Sequence, residues 1–559
     1  MTSPVSIVNN SGNSQGDGQV HRDLSRPVML IGFLAQTNLG LGYLAAVLRQ
    51  QGYRVEIVDF ESDHEEILAR AKAQDPLLIG FSLIFQFYVE RFRALMTLLR
   101  EGGVTCHFTI GGHFPSLSYQ QTLDFLPALD SVVRFEGEET LLELADRIGT
   151  DRDWRDLAGI ALRRDGEIVS NPLRPLIKDL DELPYPVRMT EPELVLGQPI
   201  LPILASRGCV RTCSFCSIHM FYRAAPGKVV RTRKPAQVVR EMEYLYAEQG
   251  ATVFLFQDDD FPLFGKVWQR WAREFVGELN RSGLAKRVLW KISCRADAVD
   301  RELFAEMRAA GLYFVYMGLE SGTEEGLKTL NKSITAEQNL RAVAILKELD
   351  LTYQFGFMLF EPSTTFASIA ENLRFLHAIA DDGSVAVTFC RMIPYDGTPI
   401  KDELIRTGRL TGDICQPGYD FLDPRLDQFY HALTQVLDLR GWVHGYGSLS
   451  PQINIAWSEI AVLERLFPPL ADMEEYKAEL RALTQASNAV LFRIVEDTAQ
   501  AFSDGGRNPW TKPLLDRECE QFLGRLLELR DGFMLRHQDE LLRALGVQRQ
   551  LPEASLRVA

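Results

Sequence analysis

The chain reads Arg207-Gly208-Cys209-Val210-Arg211-Thr212-Cys213-Ser214-Phe215-Cys216 directly after the apolar run from Leu201 to Ala205, so three cysteines share one short loop. A 4Fe-4S cluster is usually held by four thiolates. Three thiolates on one loop leave one iron without a protein ligand, much as a catalytic metal keeps an open position. The spacing therefore predicts a cluster with one iron that is free to bind a second molecule.

Two other uses of these cysteines remain open at this point. A structural zinc site needs a fourth Cys or His at short spacing, and His219 stands close enough to supply it. A disulfide is less compatible with a chain that lacks a secretory signal, because the cytoplasm is a reducing compartment. We expect the cluster.

The cysteine run resembles the signature of the radical S-adenosylmethionine (radical SAM) family, including the aromatic Phe215 before the third cysteine. The resemblance implies that SAM chelates the unique iron through its amine and carboxylate groups. It also implies that Phe215 belongs to the SAM site.

Composition limits the remaining classes of function. The 559 residues suggest several domains, and a hydrophobic content of 46% is sufficient for real cores. The net charge is −15, and no lysine-arginine run is present, so nucleic acid is not an expected partner. We find no run of about 18 apolar residues, and the first 26 residues are polar without an apolar signal core. These features predict a cytoplasmic protein that has a disordered N-terminal tail and does not bind membranes.

The segment from about residue 27 to 150 alternates short apolar runs with amphipathic helices. This alternation predicts a parallel, doubly wound, Rossmann-like α/β sheet. Ligands of such sheets bind at the carboxyl ends of the strands. The predicted strands are Val28 to Ala35, Arg54 to Phe60, Leu77 to Leu83, Cys106 to Gly112 and Ser131 to Gly137.

The residues at these strand ends resemble the cobalamin-binding domain that is fused to many radical SAM enzymes. The resembling runs are Asn38 to Leu44, Gly111 to Pro115 and Phe135 to Glu139, and Gln36 and Thr37 precede the first. By this resemblance, the predicted cobalamin-binding residues are Asn38, Leu39, Gly40, Ser82, Phe85, Gln86, Gly111, Gly112, His113, Glu136 and Gly137.

One feature of other cobalamin proteins is missing here. The Asp-x-His-x-x-Gly motif, whose histidine ligates cobalt from below, is absent. We therefore expect Phe85, Gln86 and Tyr88 to lie against the lower face of the corrin. His113 is either a ligand or, as we expect, a turn residue that hydrogen-bonds its own backbone.

A hairpin and a linker separate this domain from the next. Ile160 to Arg164 and Glu167 to Ser170 flank an Asp-Gly turn, which favours a two-stranded hairpin. Prolines at 172, 175, 184 and 186 then predict an extended linker. The predicted divisions are a tail at 1–26, a Rossmann-like domain at 27–150, hairpin and linker at 151–198, a barrel at 199–400 and a helical domain at 401–559.

Six strand-helix repeats follow the linker, which predicts a partial (β/α)6 TIM-type barrel with its chemistry at the carboxyl ends of the strands. The cysteine loop is one such end. The predicted strands are Leu201 to Ser206, Thr252 to Gln257, Leu289 to Arg295, Tyr313 to Glu320, Tyr353 to Phe360 and Val385 to Arg391.

The other strand ends predict a SAM pocket. Asp258 and Asp259 follow the second strand, where an ammonium group needs anionic acceptors, and by resemblance they hold the SAM amino group. Ser293 and Arg295 end the third strand, and the guanidinium is suited to pair with the methionyl carboxylate. Glu320 and Ser321 lie in a Gly-x-Glu-Ser-Gly run that is similar to the family pattern, and they offer an acceptor and a hydroxyl to a ribose.

Beyond residue 400 the sequence is mostly helical, and we find no chemical motif there. Helices are expected near Arg425 to Leu439, Ala471 to Asn488 and Leu515 to His537. A group of aromatic residues forms either a substrate lid or, as we expect, a packed core. The group comprises Tyr395, Tyr419, Phe429, Tyr430, Trp442 and Tyr446.

The resemblances together imply a cobalamin-dependent radical SAM enzyme that methylates an unactivated carbon of a small-molecule or natural-product substrate. In that family, SAM on the cluster gives a 5′-deoxyadenosyl radical, and methylcobalamin supplies the methyl group. An electron donor such as flavodoxin or ferredoxin is then the expected partner. Three alternatives remain: a cobalamin-using cyclase or oxidoreductase without methyl transfer, a radical SAM enzyme that has lost cobalamin, and a noncatalytic iron-sulfur carrier or redox sensor.

Overall fold

The computed structural model describes residues 22–34, 38–188, 191–437, 442–443 and 447–546. Several predictions concern residues outside these ranges: most of the N-terminal tail (1–21), the end of the first strand (Ala35) and its following residues Gln36 and Thr37, the end of one helix (Leu439), and Tyr446. Residues 22–26 of the predicted tail are ordered, because Arg22 pairs with Asp146 at 3.0 Å and Arg26 pairs with Asp75 at 3.1 Å.

A seven-stranded sheet forms the first domain, in the order β2-β1-β3-β4-β5-β6-β7. The strands are β1 (Val28–Gly32), β2 (Val55–Asp59), β3 (Leu78–Ser82), β4 (His107–Gly111), β5 (Ser131–Val133), β6 (Ile160–Arg164) and β7 (Glu167–Ser170). The helices are α1 (Leu39–Gln50), α2 (His64–Gln74), α3 (Val89–Glu101), α4 (His113–Leu117), α5 (Tyr119–Phe125) and α6 (Glu138–Gly149).

The first five strands are parallel, as the alternating pattern predicted. Their apolar runs are buried by helices on both faces, which is typical of parallel sheets. The predicted hairpin is present, but β6 pairs antiparallel with β5 and so extends this sheet. The domain boundary predicted at residue 150 therefore lies inside the first domain.

A second seven-stranded sheet curls into the partial barrel, in the order β16-β15-β14-β13-β12-β9-β8. Its strands are β8 (Glu193–Val195), β9 (Gln198–Ile203), β12 (Val253–Phe256), β13 (Leu289–Cys294), β14 (Leu312–Glu320), β15 (Thr352–Phe360) and β16 (Cys390–Arg391), and β10 (Ser206–Arg207) pairs separately with β11 (Arg231–Thr232). The helices are α7 (Ser217–Ala224), α8 (Pro235–Gln249), α9 (Gly265–Ser282), α10 (Arg301–Ala309), α11 (Glu324–Thr329), α12 (Ala336–Glu348) and α13 (Phe366–Ala380).

The six parallel barrel strands confirm the predicted repeat, and the short β8 adds an antiparallel edge. The sixth strand is much shorter than predicted. Asn454 and Asn488 bond the backbone of Val385 to Val387 through their side chains, and these bonds replace a strand ladder there.

The C-terminal part contains α14 (Pro399–Arg406), the hairpin β17 (Leu410–Gly412) and β18 (Pro417–Tyr419), α15 (Pro424–Val436), α16 (Leu449–Leu466), α17 (Met473–Ser503), α18 (Lys512–Arg536) and α19 (Gln538–Ala544). Its helices share one apolar core with the barrel. The sequence analysis did not predict α16, whose buried apolar residues nevertheless recur at helical spacing from Leu449 to Leu463. Tyr419, Phe429 and Trp442 are buried in this core, as expected.

Candidate functional site

The cysteine loop leaves β10 at Arg207 and enters α7 after Cys216, at the carboxyl edge of the barrel. Cys213 is buried, while Cys209 and Cys216 are half-buried. The Cys209 thiol approaches the Asp260 carboxylate at 3.8 Å and accepts a hydrogen bond from the Arg211 amide at 3.4 Å. The Arg295 guanidinium donates to the Cys213 sulfur at 3.7 Å. Cationic and N–H donors therefore already face two of the three sulfurs.

The loop is chemically suited to a metal cluster. Burial raises the pKa of the Cys209 thiol to about 12, and the nearby Asp260, Cys213 and Cys216 act in the same direction. Burial likewise raises the pKa of Cys216 to about 11. Thiolates at this site therefore need a positive partner, which iron supplies.

The acidic run after the second barrel strand has hydrogen-bond partners within the chain. Asp258 accepts from the Ser206 hydroxyl at 2.5 Å and from the Ala205 amide at 3.2 Å. Asp259 accepts from the Gly208 amide at 2.8 Å, and the Tyr222 hydroxyl also bonds to it. Both carboxylates therefore anchor the start of the cysteine loop, and their assignment to the SAM amino group stays a prediction.

Arg295 and Ser293 lie at the end of the third barrel strand. Arg295 is engaged within the chain, because it pairs with Asp297 at 3.1 Å, donates to the Lys332 carbonyl and approaches Cys213. It is placed to support the cysteine loop rather than to pair freely with a carboxylate. Ser293 is half-buried and alternates with outward-facing Ile292 and Cys294, so it faces the barrel lumen.

Glu320 and Ser321 lie at the end of the fourth strand and differ in their hydrogen-bond partners within the chain. Glu320 pairs with Lys332 at 3.2 Å through Oε1 and lies close to Tyr316 in the lumen. Ser321 is fully buried, donates to Asn372 and accepts from the Thr323 amide. Glu320 remains a predicted SAM contact, and so does Ser321, which also stabilises its own turn. Phe215 also remains a predicted contact.

The lumen contains residues that the sequence analysis did not assign to a cofactor site. A Cβ atom built on Gly356 would lie 2.9 Å from the Tyr316 hydroxyl, so this tyrosine crosses the lumen above β15. Burial raises the pKa of the Cys390 thiol to about 12, and Glu320 nearby adds to the shift. Burial also raises the pKa of Tyr395 to about 12, with further contributions from Cys390, Cys216 and Tyr88. Only the fold brings these groups together.

The carboxyl ends of β1, β3 and β4 meet at one edge of the first sheet, as predicted. Asn38 caps α1 by accepting from the Leu41 amide, and its own amide donates to the Phe33 carbonyl. Gly112 has a φ of +113°, and a Cβ there would collide with the Leu83 backbone. Leu39, Gly40, Ser82 and Gly111 lie at the same edge. These residues form a surface that a flat ligand can approach closely, and their assignment to cobalamin remains a proposal.

The segment after β3 carries exposed apolar side chains. Ile84, Phe85 and Phe87 are 41%, 41% and 37% exposed, and Phe85 stacks on Phe87 at 5.4 Å. Phe85 also contacts Tyr395 at 5.7 Å between ring centroids. Gln86 is buried, donating to the Ile414 carbonyl and accepting from the Asp396 amide. Phe85 therefore remains a predicted corrin contact, and Gln86, whose side-chain amide is hydrogen-bonded within the chain, stays one as well.

His113 and Glu136 face the barrel domain. The His113 ring packs edge-on against Phe221 of α7 at 4.6 Å. Glu136 accepts from Arg231 at 2.8 Å, from Arg207 at 3.2 Å and from the Ile177 amide at 2.7 Å. Both side chains are thus interdomain contacts, and their assignment to cobalamin stays a prediction. Gly137, which precedes α6, stays a predicted contact.

Comparison with known proteins agrees with both halves of this arrangement. Residues 34–145 match the B12 binding domain family, and residues 203–376 match the radical SAM superfamily. An uncharacterized methyltransferase of Pyrococcus horikoshii is 26% identical over 72% of this chain and 85% of its own length. The anaerobic magnesium-protoporphyrin IX monomethyl ester cyclase of Cereibacter sphaeroides is 28% identical over 65% of this chain and 60% of the cyclase.

A solved structure shares the fold over nearly the whole chain. The cobalamin-dependent S-adenosylmethionine radical enzyme OxsB, with aqua-cobalamin bound, superposes with a TM-score of 0.65 at 18% identity. The superposition covers 94% of this chain and 84% of that chain.

The chain therefore belongs to the radical SAM enzymes that carry an N-terminal B12-binding domain. Its cofactors are a 4Fe-4S cluster, SAM and cobalamin. Cys209, Cys213 and Cys216 are the residues suited to hold the cluster. None of the helices in the described ranges is long and apolar enough to span a membrane.

The position of His113 predicts a dependence of stability on pH. Burial lowers the pKa of this imidazole from its ordinary 6.5 to about 4. The unfolded chain therefore binds the proton more readily, and the stabilisation that is present above pH 6.5 is lost as the pH falls towards 4. We expect wild type to lose about 1–2 kcal/mol of unfolding free energy between about pH 7 and pH 5 through this group.

Urea unfolding of wild type and His113→Gln at both pH values measures this contribution. The variant should show the smaller loss of stability on acidification. Exposed His431→Gln is the control and should behave like wild type. An identical pH dependence in wild type and His113→Gln would show that the buried imidazole does not contribute.

Proposed function

We propose that this cobalamin-dependent radical SAM enzyme methylates an unactivated carbon of a small-molecule substrate. When bound, the cluster and SAM supply the radical chemistry and cobalamin supplies the methyl group. The protein's task is then to hold, orient and dehydrate the reacting groups.

The observation that carries the proposal is the position of Tyr395. Its ring centroid lies 5.7 Å from that of Phe85 in the first domain. The Cys216 thiol of the cysteine loop is near enough to contribute to the raised pKa of its hydroxyl. The edge proposed for the corrin and the loop suited to the cluster therefore border one interior space. A substrate in that space has access to both.

The chain's own residues suit this space to a reaction that must exclude water. Tyr316, Cys390 and Tyr395 keep their protons at neutral pH, because burial raises the pKa of each side chain. They present hydroxyl and thiol groups without adding charge. The Glu320–Lys332 pair places compensated charge at the wall, where it can hydrogen-bond a bound nucleotide.

The test is anaerobic reconstitution with iron, sulfide and hydroxocobalamin, followed by reduction with SAM and a substrate panel. Methyl transfer of this kind predicts that 5′-deoxyadenosine and S-adenosylhomocysteine form together, with a product that is heavier by one methylene unit. Deoxyadenosine without S-adenosylhomocysteine would refute methyl transfer.

The similarity to the magnesium-protoporphyrin cyclase favours one alternative, because its identity to this chain is comparable to that of the methyltransferase relative. A cyclase or oxidoreductase in the same fold would cleave SAM without methylating its substrate. Product mass separates the two, since cyclisation removes hydrogen atoms. We further propose that the enzyme works in the cytoplasm and receives its electron from a carrier such as flavodoxin or ferredoxin.

A further inference from the structure

Four buried charged residues connect the first domain to the start of the cysteine loop. We call them the interdomain ion-pair cluster: Glu136, Glu138, Arg207 and Arg231. Arg207 pairs with Glu138 at 2.6 Å and with Glu136 at 3.2 Å, and Arg231 pairs with Glu136 at 2.8 Å. Each of these side chains is 10% exposed or less.

The position of Arg207 in the chain gives this cluster its significance. Arg207 is followed directly by Gly208 and Cys209, the first cysteine of the loop. Asp258 and Asp259 fix the backbone of residues 205–208 from the barrel side. Arg207 fixes the same stretch from the side of the first domain. The base of the cysteine loop is therefore held between two bodies.

The two acidic residues of the cluster lie at the edge of the first sheet that is proposed for the corrin. Glu136 and Glu138 lie in the turn and first residue of α6 that follow β5, at the edge where Gly112 and His113 also stand. Burial opposes the charge of Arg207, but Glu138 and then Glu136 outweigh it, so the pKa of the guanidinium is raised. The ion pair is therefore short and shielded from water. Removal of one partner from such a pair strongly destabilises the fold, because it leaves an unpaired buried charge.

We propose that Glu138 and Arg207 are positioning residues that transmit the state of the corrin-binding edge to the cysteine loop. A ligand that orders the edge then also restrains residues 207–216. This inference rests on the proposed placement of cobalamin at the edge. It adds that the two cofactor sites are coupled through the interdomain ion-pair cluster, with the short Arg207–Glu138 pair as its main link.

Hydrogen exchange of the full-length protein tests the coupling without SAM, with and without hydroxocobalamin. In wild type, binding should slow exchange at the edge (residues 82–88 and 111–113) and also in the loop (residues 207–216). We expect about tenfold slowing in the loop, in the usual range of coupling between sites. In Glu138→Gln, the edge should stay protected while the slowing in the loop is lost.

Glu143→Gln is the matched control, because Glu143 lies on the same helix and pairs with Arg147 at 2.7 Å inside the first domain. It should keep the wild-type response in the loop. Arg207→Lys is a second variant that keeps the charge but loses the forked geometry, and it should reduce the slowing only in part. If Glu138→Gln fails to fold, Arg207→Lys decides the question alone.

The outcomes separate the two proposals. Protection of the edge without any response of the loop in wild type overturns the coupling and leaves the corrin placement standing. The coupling is also overturned if hydroxocobalamin slows exchange in the loop equally in Glu138→Gln and Glu143→Gln. No protection of the edge by hydroxocobalamin overturns both. A failure to form S-adenosylhomocysteine in the activity assay bears only on methyl transfer.

Discussion

Alanine at Cys209, Cys213 or Cys216 is expected to reduce SAM cleavage by more than about 10³-fold, to the background of the assay. Each variant removes one of the three thiolates on the loop, and no fourth cysteine stands near enough in sequence to replace it. Iron and sulfide content after anaerobic reconstitution measures the loss of the cluster. The formation of 5′-deoxyadenosine under strong reductant measures the loss of SAM cleavage.

Cys106→Ala is the matched control for these variants. Cys106 is also a buried cysteine, but it lies in the first domain beside β4. It should retain the cluster and the cleavage activity, with at most a modest loss of stability from the smaller side chain. Full activity in any one of the three loop variants would contradict the assignment of the cluster ligands.

Alanine at Gly208 is expected to have the second-largest effect, through geometry alone. Gly208 has a φ of +89°, and a Cβ atom there would overlap the Val229 carbonyl oxygen. The loop must then move away from the β10–β11 pair, at a cost of about 3 kcal/mol or more. We expect greatly reduced iron incorporation, measured as iron per chain after reconstitution.

Gly265→Ala isolates the contribution of the collision. Gly265 has a comparable φ of +75°, but its Cβ would meet open space. Its cost should be limited to the left-handed backbone, about 1 kcal/mol, and its iron content should match wild type. Equal iron incorporation in the two variants would show that the path of the loop past Val229 does not matter for the cluster.

The features that the sequence predicted best are those in which covalent chemistry or local pattern is decisive. The cysteine spacing identifies the cluster loop without any tertiary information. Buried parallel strands such as Val28–Gly32 appear as continuous apolar runs. Gly112 was predicted at the ligand-binding edge of the first sheet, and its φ of +113° together with the nearby Leu83 backbone explains why a glycine stands there.

Polar partners that are distant in sequence cannot be predicted from a single chain. Asp258 and Asp259 stand in an acidic run that suits an ammonium ligand, and the sequence did not show that they also accept hydrogen bonds from Ser206 and Gly208. Gln86 bonds to Ile414, which is 328 residues away. Glu138 and Arg207 carry no motif of their own, and Lys332 could not have been linked to Glu320 from spacing.

The predicted length of the sixth barrel strand was wrong for a related reason. Val385 to Val387 is apolar and reads as a strand, but two asparagine side chains from α16 and α17 satisfy its backbone. Tyr395 was grouped with other aromatic residues because they cluster in sequence, which favoured a packed core over a substrate lid. Its location beside Phe85 and Cys216 depends on how the first domain docks on the barrel.

The most direct test of the account is electron paramagnetic resonance of the reduced, reconstituted protein before and after SAM is added. The account predicts a 4Fe-4S signal whose g values shift with SAM, because one iron has no protein ligand and takes the nucleotide. A signal that SAM leaves unchanged, or a protein that retains zinc in place of the cluster, would contradict it.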